Sequence, residues 1–378
     1  MRVLEVSEFD SHCVVSDESV ASNNRSSMEG HKTGLSRSSM DEWNMNDSKL
    51  PRLTLATLPT PLHRLQNLSD ELATGVWIKR DDLTGFAMGG NKVRKAEFIF
   101  ADVLAQKSDV VLTIGATQSN HACVVAAAAR RLRIECHLFL AGQMSEQPTG
   151  NLLLDRLAGA ELHFVNSFDE RSPAMEAFAE VLRAKGRIPY TIPLGGSNAI
   201  GAYGYVVGFQ ELENQLRSLP PRPTRLVFAS SSCGTYAGLL AGKALLDSEI
   251  ELLGVRVDLD PNPEETICAV ADACAQRIGL TKRFRSEEVH LKPDYAGEDY
   301  GVPTEEGSEA LTKLWQSEGI LLDPVYTAKA MAGLIDLARR GEFINERVVF
   351  LHTGGAPAVF TSIPRLEFHT QPEATELH

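Results

Sequence analysis

The alternation of short apolar runs with helical patterns is the feature that most constrains this chain. From Leu53 onwards, runs rich in Val, Ile, Leu and Phe precede segments whose apolar residues recur every three or four positions. The runs are continuously apolar, which is typical of parallel strands covered on both faces. The sequence therefore predicts an α/β fold. Strands are expected at VWIKR (76–80), DVVLTIG (109–115), IECHLFLAG (134–142), ELHFV (161–165), RLVFAS (225–230), ELLGVRV (251–257) and RVVFLHTGG (347–355).

Helices are expected between these strands. In residues 93–107, for example, Val93, Phe100 and Leu104 lie on one helical face. Residues 321–341 are expected to pass from a strand into a helix. The other predicted helices cover 121–132, 151–159, 168–185, 203–217, a segment from Gly234, and 263–278.

Residues 1–50 differ from the rest of the chain. They are rich in Ser, Asn and charged residues, contain few apolar residues and show no sustained period. Such a segment cannot bury enough apolar surface to offset its ordering entropy. We expect a disordered leader, and Met40 or Met45 could be the true start.

Charge and cysteine spacing exclude several classes of protein. The net charge of -13 argues against a nucleic-acid partner and against an anionic membrane surface, both of which require excess Lys and Arg. No stretch approaches the roughly 18 apolar residues that span a bilayer, and the N-terminus lacks a secretory h-region. The six cysteines are scattered without a C-x-x-C pair. Reduced cytosolic thiols, a cytoplasmic location and no metal site are therefore expected.

Two stretches of small residues carry the functional signal. GFAMGGNKVRKAEF (85–98) places Lys92 and Lys95 at the start of a helix, directly after two glycines. ASSSCGTYAGLLAG (229–242) ends a strand near Ser230 and begins a helix near Thr235. Free N–H groups and the helix dipole make such a turn suitable for a phosphate. Taken alone, an ordinary Ser- or Thr-capped helix explains this turn equally well.

The absence of two nucleotide-binding motifs narrows the class of phosphorylated ligand that this turn could bind. It contains neither G-x-G-x-x-G nor G-x-x-x-x-G-K-[ST], so dinucleotides and nucleoside triphosphates are disfavoured. Phosphorylated cofactors and sugar phosphates remain. A lysine together with a phosphate turn indicates pyridoxal phosphate, whose aldehyde reacts with a lysine amine. Lys92, at a helix start in apolar surroundings, is expected to have a lowered pKa.

Seven motifs in a fixed order resemble one known family. They are similar to those of the D-cysteine desulfhydrase and 1-aminocyclopropane-1-carboxylate (ACC) deaminase family, which are fold type II pyridoxal-phosphate enzymes with a tryptophan-synthase-β-like fold. The resemblance covers about residues 54–362. The motifs are GFAMGGNKVRKAEF, GATQSNH, GGSNAIGAYGY, SSSCGTYAGL, DYGVPTEEG, LLDPVYTAKAMAGLID and HTGGAPAVF.

The resemblance implies an architecture. It comprises two α/β domains, each with an open twisted sheet flanked by helices, and the cofactor in the cleft between them. The smaller domain would contain residues 92–204, and the larger one residues 51–91 plus 205–378. A homodimer is implied as well.

The resemblance also assigns roles to matching positions near the substrate. Lys92 would form the Schiff base with the cofactor, and Lys95 would be a supporting charge behind it. Asn120 would hydrogen-bond the phenolic oxygen of the cofactor. Ser119, Asn120 and His121 would bind the substrate carboxylate at a helix start, although His121 could instead cap that helix.

Further positions would hold the rest of the cofactor and act on the substrate. Tyr300 and Tyr326 would contact the substrate as acid or base groups with lowered pKa values, or else are buried tyrosines with satisfied hydroxyls. Thr327 would face the pyridine nitrogen. The phosphate would lie on Ser232, Cys233, Gly234 and Thr235.

The position of Thr327 bears on the reaction. ACC deaminases carry Glu there, and a neutral hydroxyl leaves the ring a weaker electron sink. Elimination needs an α-proton and a good leaving group and tolerates this, whereas ACC has no α-proton. The expected activity is therefore α,β-elimination from a small β-substituted amino acid, with D-cysteine giving pyruvate, ammonia and sulfide. ACC deamination, elimination from cysteate and a non-catalytic pyridoxal-phosphate-binding protein remain alternatives.

Two departures from the family pattern concern the substrate. Desulfhydrases of the family continue QSNH with Arg-Gln, whereas this chain continues with ACVVAAAA. Ser231 and Tyr236 stand where Gly and His are usual, and Tyr236 could narrow the pocket or stack nearby.

Overall fold

A computed structural model describes residues 49–361 of the chain, which contain two sheets. The larger sheet has one antiparallel pair, formed by its first two strands, and is otherwise parallel. In spatial order its strands are β1 (Leu62–Arg64), β2 (Gly75–Lys79), β10 (Arg347–Leu351), β7 (Arg225–Ser230), β8 (Glu251–Arg256) and β9 (Leu291–Lys292). The smaller sheet is entirely parallel, in the order β5 (Glu161–Val165), β4 (Glu135–Ala141), β3 (Val110–Ala116) and β6 (Pro189–Ile192).

Ten α-helices lie within the described residues and flank these sheets. None of them is long and apolar enough to cross a membrane. They are α1 (Gln66–Leu72), α2 (Asn91–Ala105), α3 (Asn120–Leu132), α4 (Gly150–Leu157), α5 (Arg171–Ala184), α6 (Ala199–Leu216), α7 (Gly234–Leu245), α8 (Pro263–Arg277), α9 (Glu305–Glu318) and α10 (Thr327–Arg339).

The predicted α/β class with two sheets is confirmed. Every strand of the smaller sheet falls inside residues 92–204, and every strand of the larger sheet falls outside them. The domain boundaries themselves stay a prediction, because one hydrophobic cluster contains Val111 and Leu138 of the smaller sheet together with Phe228 of the larger one. The predicted leader lies outside the described residues.

The expected strand at the start of residues 321–341 is wrong. Residues 321–326 form no strand, and the helix begins at Thr327. The carboxylate of Asp323 accepts hydrogen bonds from the backbone N–H groups of Val325, Tyr326 and Thr327. This side chain satisfies the donors that a strand neighbour would otherwise take, so the segment becomes a capped turn.

Arg94 on α2 lies at the centre of a buried network of charges. Its guanidinium donates to both oxygens of Asp81 at 2.8 Å, and to both oxygens of Glu211 on α6 at 2.9 and 3.1 Å. Lys79, at the end of β2, also pairs with Glu211. Burial raises the pKa of Asp81, but the Arg94 guanidinium outweighs burial and lowers it to about 2. The network ties α2 to the end of β2 and to α6.

Replacing Arg94 tests this network. Arg94→Met removes the buried cation paired with Asp81 and leaves Glu211 with Lys79 alone, so we expect the free energy of unfolding to fall by about 3–5 kcal/mol. Chemical denaturation followed by circular dichroism measures the change. The matched control is Arg340→Met, because Arg340 is a largely exposed helix arginine paired with Asp336; we expect it to stay within about 0.5 kcal/mol. Equal effects of the two variants would contradict the structural role of Arg94.

Asp155 of α4 is a buried acidic residue outside this network, and its carboxyl group has no partner in the described part of the chain. The residue is fully buried, and neither carboxylate oxygen has a hydrogen-bond partner among the described residues. Burial raises the pKa of Asp155 to about 8, so the carboxyl group is mostly protonated in the folded protein at neutral pH.

The pKa of Asp155 makes stability depend on pH. An unfolded Asp loses its proton near pH 4, so from about pH 4 to 8 the folded chain binds the additional proton and the free energy of unfolding falls as pH rises. Asp155→Asn has no such proton to lose. We expect its melting temperature to exceed that of the natural protein by a margin that grows by a few degrees from pH 5 to 8. A constant margin, as expected for the exposed control Glu180→Gln, would contradict this account.

Candidate active site

A cavity of about 500 Å³ opens at the carboxyl ends of β3, β7 and β10. In open parallel sheets this edge is where ligands bind. The cavity brings together nine predicted site residues: Lys92, Ser119, Asn120, His121, Ser232, Cys233, Thr235, Tyr300 and Tyr326. Two others, Gly234 and Thr327, do not form part of its lining.

Lys92 is the second residue of α2 and faces the cavity. Gly89 and Gly90 precede it with φ values of 77° and 105°, a region that favours glycine. A Cβ at Gly90 would lie 2.9 Å from the carbonyl oxygen of Thr353, so only glycine allows this close approach. Burial lowers the pKa of Lys92 to about 8, and the charge of Asp323 offsets part of that effect. The lowered pKa agrees with the sequence-based expectation for a nucleophilic amine.

Lys95 lies closer to the phosphate turn than the sequence suggested. The side chain is buried, and its Nζ donates to the carbonyl oxygen of Gly195 at 3.1 Å. A Cβ at Gly234 would lie 2.8 Å from this Nζ, so the ammonium group faces the glycine that begins α7. Burial, together with the charge of Lys92, lowers the pKa of Lys95 well below its ordinary value. Within residues 49–361, no carboxylate forms a direct salt bridge with either lysine.

The turn before α7 is fixed by hydrogen bonds with residues that are distant in the sequence. Cys233 has a φ of 65°, and α7 begins at the next residue. The N–H of Gly234 donates to Ser197 Oγ at 3.2 Å, and Asn91 Nδ2 donates to Thr235 Oγ1 at 3.0 Å. A Cβ at Gly195 would lie 2.2 Å from Ser232 Oγ. Asn91, Ser197 and Gly195 were not identified as site residues from the sequence, because their partners are far away along the chain.

The Cys233 thiol is not a nucleophile in this turn. Burial raises its pKa to about 12, with smaller contributions from nearby acids, so the group is a neutral thiol at physiological pH. Its contribution to a phosphate site is therefore the shape of the turn and its backbone.

The start of α3 supplies three of the predicted substrate residues. Ser119 is the N-cap, and its Oγ accepts from the N–H of Ala122 at 3.2 Å. Asn120 Oδ1 accepts from Asn151 Nδ2 at 2.7 Å, which holds the Asn120 side chain at the cavity. The hydroxyl of Ser119 thus has a structural partner as well as access to the cavity.

His121 is neutral and held by the sheet. Its Nε2 lies 2.9 Å from Thr113 Oγ1, which itself donates to the carbonyl oxygen of Ile192, so we assign the ring proton on Nε2 as the donor. Burial, then the charges of Lys92 and Lys95, lowers the pKa of His121 well below its usual value. A neutral ring cannot attract a carboxylate by charge, and its role in substrate binding stays a prediction.

Tyr300 and Tyr326 form a pair in which the two hydroxyls are hydrogen-bonded to each other. Phe168 packs edge-on against Tyr300 at a ring separation of 5.8 Å. Burial raises the pKa of Tyr300, and burial together with Tyr300 raises the pKa of Tyr326 well above its ordinary value. This direction is opposite to the lowered pKa values that the sequence analysis expected, so both phenols keep their protons at neutral pH.

Thr327 and Tyr236 face their own partners in the protein. Thr327 Oγ1 donates to Asp323 Oδ1 at 2.7 Å, and its predicted contact with a pyridine nitrogen stays a prediction. The hydroxyl of Tyr236 accepts from the N–H of His290 at 2.8 Å, while its ring meets Phe228 edge-on. Tyr236 is thereby anchored against the β8 side of the sheet. Its buried side chain forms part of the cavity wall.

A buried lysine of lowered pKa and a phosphate-type turn, both at the carboxyl edge of parallel strands, define a pyridoxal-phosphate enzyme. The family described as "Pyridoxal-phosphate dependent enzyme" matches residues 53–354. The chain belongs to this family, and pyridoxal phosphate is its cofactor.

Individual relatives agree with this assignment. The chain is 40% identical over 326 residues to the D-cysteine desulfhydrase of Salmonella newport, covering 84% of this chain and 98% of the relative. The crystal structure of an ACC deaminase homologue matches with a TM-score of 0.77 and 39% identity, over 82% of this chain and 94% of that one. A fungal L-serine ammonia-lyase from Rhizomucor miehei, at 20% identity and a TM-score of 0.58 over 80% of this chain and 95% of that one, shares the fold. These findings confirm the resemblance, the fold type and the cofactor.

The lowered pKa of Lys92 makes cofactor capture depend on pH. Only the free amine attacks an aldehyde, and with a pKa of about 8 half of the Lys92 amine is free at pH 8 and nearly all of it above about pH 9. We expect the rate at which cofactor-free protein gains visible absorbance with added pyridoxal phosphate to rise with pH and level off above about pH 9. Lys92→Ala should gain no such band. A wild-type rate that still rises steeply between pH 9 and 10 would contradict the lowered pKa.

Proposed function

We propose that this enzyme catalyses α,β-elimination of D-cysteine, giving pyruvate, ammonia and sulfide. The observation that carries the proposal is the neutral Thr327, whose hydroxyl already donates its proton to Asp323. ACC deaminases have Glu at this position, so a pyridine ring facing Thr327 would be less activated than ACC opening requires. The 40% identity to a D-cysteine desulfhydrase over nearly its whole length also supports it.

The residues present fit the cofactor. Lys95 Nζ, the backbone of the Ser232–Thr235 turn and the start of α7 would hold the phosphate, because this buried cation has no acid partner among the described residues. Lys92 would hold the aldehyde carbon covalently, and Asn120 would hydrogen-bond the phenolic oxygen. When bound, pyridoxal phosphate captures an amine and withdraws electrons from the α-carbon of the substrate.

The remaining chemistry belongs to the side chains around the cavity. The Lys92 amine, at a helix start in the cavity, would accept the α-proton of the substrate. The C–S bond then breaks, and a neutral phenol of the Tyr300–Tyr326 pair can donate a proton to the departing sulfur. The released aminoacrylate hydrolyses to pyruvate and ammonia. The free N–H groups at the start of α3, with Ser119 and Asn120, would bind the substrate carboxylate.

ACC deamination is the second candidate, supported by the similarity to a solved ACC deaminase homologue. Cysteate, which offers an α-proton and a β-leaving group, fits the same elimination. A non-catalytic cofactor-binding protein is less well supported, because the lysine, both tyrosines and Ser119 all line one cavity.

A substrate panel tests the proposal. Release of a 2-oxo acid should be fastest with D-cysteine, which gives pyruvate in step with sulfide. It should be much slower with L-cysteine and cysteate, which also give pyruvate, and with ACC, whose four carbons give 2-oxobutanoate. Tyr326→Phe should lower kcat by about 100-fold, because it removes a proton donor. Tyr295→Phe is the matched control: its hydroxyl bonds Asp336 outside the cavity, so kcat should stay unchanged. 2-Oxobutanoate from ACC in preference to pyruvate from D-cysteine would reverse the assignment, and no 2-oxo acid from any substrate would favour the binding-only alternative.

The proposal also includes a homodimer, a cytoplasmic location and the domain division at residues 92–204. The homodimer rests on the family resemblance, and the cytoplasmic location rests on the charge and cysteine pattern of the chain. Light scattering of the purified protein should give the mass of two chains, which tests the homodimer.

A further inference from the structure

Four side chains of types that bind metal ions, two Glu and two His, lie together on one face of the smaller sheet. Glu135 and His137 are two residues apart on β4, and Glu161 and His163 are two residues apart on the neighbouring strand β5, so all four point to the same side. In the register of these strands, His137 lies opposite Glu161. This is the side covered by Phe178 of α5, whose ring lies 4.7 Å from that of His137.

The distances suit a single ion. His137 Nδ1 lies 3.0 Å from His163 Nε2 and 3.5 Å from Glu161 Oε2. The three ligand atoms all lie within 4.8 Å of one another. Two ligand atoms of a tetrahedral zinc ion are about 3.3 Å apart, given metal–ligand distances of about 2.0–2.1 Å. The separations of His137 Nδ1 from His163 Nε2 and from Glu161 Oε2 would therefore have to change by only a few tenths of an ångström to bind such an ion.

Hydrogen bonds orient His137 for metal binding. Its Nε2 lies 2.7 Å from Glu135 Oε1, and the other oxygen of Glu135 accepts from Arg187 at 2.8 Å. The Nε2 proton is thus donated to a carboxylate, which leaves the Nδ1 lone pair directed at His163 and Glu161. A carboxylate behind the imidazole is the usual companion of a metal-binding histidine, since it fixes the tautomer and raises basicity.

The second histidine is also held in place by packing. The ring of His163 stacks on Phe139 at 4.6 Å with 10° between the planes. His137 is buried, whereas the side chain of Glu161 is 66% exposed, so solvent reaches the cluster from the Glu161 side. The Nδ1 lone pair of His137 accepts a hydrogen bond from His163 Nε2–H, and Glu161 Oε2 lies 3.5 Å from the same nitrogen. A cation would replace this proton and contact all three groups.

We propose that His137 Nδ1, His163 Nε2 and Glu161 Oε2 form a binding site for a divalent transition-metal ion of the zinc type, with solvent in the remaining position. Two imidazoles and one carboxylate suit zinc, which needs no redox partner. In the described part of the chain, none of these residues lines the active-site cavity, so the ion has no part in elimination. It would fasten the edge strand β5 to β4. The expectation of no metal considered only cysteine spacing.

Zinc titration of the full-length holoenzyme by calorimetry tests the site. The wild-type protein should bind one equivalent that His163→Phe loses, since Phe keeps the stacking on Phe139 but has no ligand nitrogen. Glu161→Gln should weaken this equivalent at least 10-fold, and Glu135→Gln by about 10–100-fold. The matched controls are His290→Phe and Glu180→Gln, exposed residues of the same types outside the cluster; both should bind as the wild type does.

Two further measurements make the outcome decisive. Zinc should raise the melting temperature of the wild type and of both controls but not of His163→Phe. Pyruvate release should be the same in every variant, so a failed activity assay would bear on the proposed reaction and not on the metal. Wild-type protein that binds no zinc, or cluster variants that bind it as tightly as the controls, would overturn the proposal. If His163→Phe does not fold, the surface variant Glu161→Gln decides.

Discussion

The pairing of the buried Arg94 guanidinium with Asp81 and Glu211 is the interaction on which the active site depends. Arg94 lies on α2 between Lys92 and Lys95. A helix turns about 100° per residue, so the two lysines lie within about 60° of each other while Arg94 points to a different side. Fixing Arg94 to the end of β2 and to α6 therefore fixes the rotation of α2, and this rotation directs Lys92 into the cavity and Lys95 towards Gly195 and Gly234.

Buried charged residues with a salt-bridge partner stabilise the fold, whereas two buried lysines that lack one in the described part of the chain are candidates for ligand binding. Arg94 and Lys79 each have carboxylate partners and stabilise the layout of the elements. Lys92 and Lys95 have no salt-bridge partner among the described residues, and burial lowers both pKa values. Burying such groups costs free energy unless a ligand compensates. A phosphorylated aldehyde would meet both needs, since in the proposed arrangement its phosphate would face Lys95 and its carbonyl carbon would react with Lys92.

Close approaches between backbone segments complete the site. Gly90 lies against Thr353, Gly234 against Lys95 and Ser197, and Gly195 against Ser232, each too close for a Cβ. These contacts join segments that are far apart in the chain. They explain why the glycines are needed, which a run of glycines in the sequence does not reveal. The same tight packing holds His121 on Thr113 as a neutral ring and leaves the tyrosine pair uncharged.

The sequence by itself determined the α/β class, the position of most strands to within about a residue, the family and the cofactor, and it predicted Lys92 as the lysine that binds this cofactor. These follow from periodicity within consecutive residues and from the order of motifs. Only the tertiary structure decided that β10 lies between β2 and β7, that residues 321–326 form a capped turn and not a strand, and that Lys95 faces Gly234. It alone brought His137 and His163 together on neighbouring strands. The reason is physical: local patterns set which segments become strands or helices, whereas strand order and contacts between distant residues are set by the packing free energy of the whole chain.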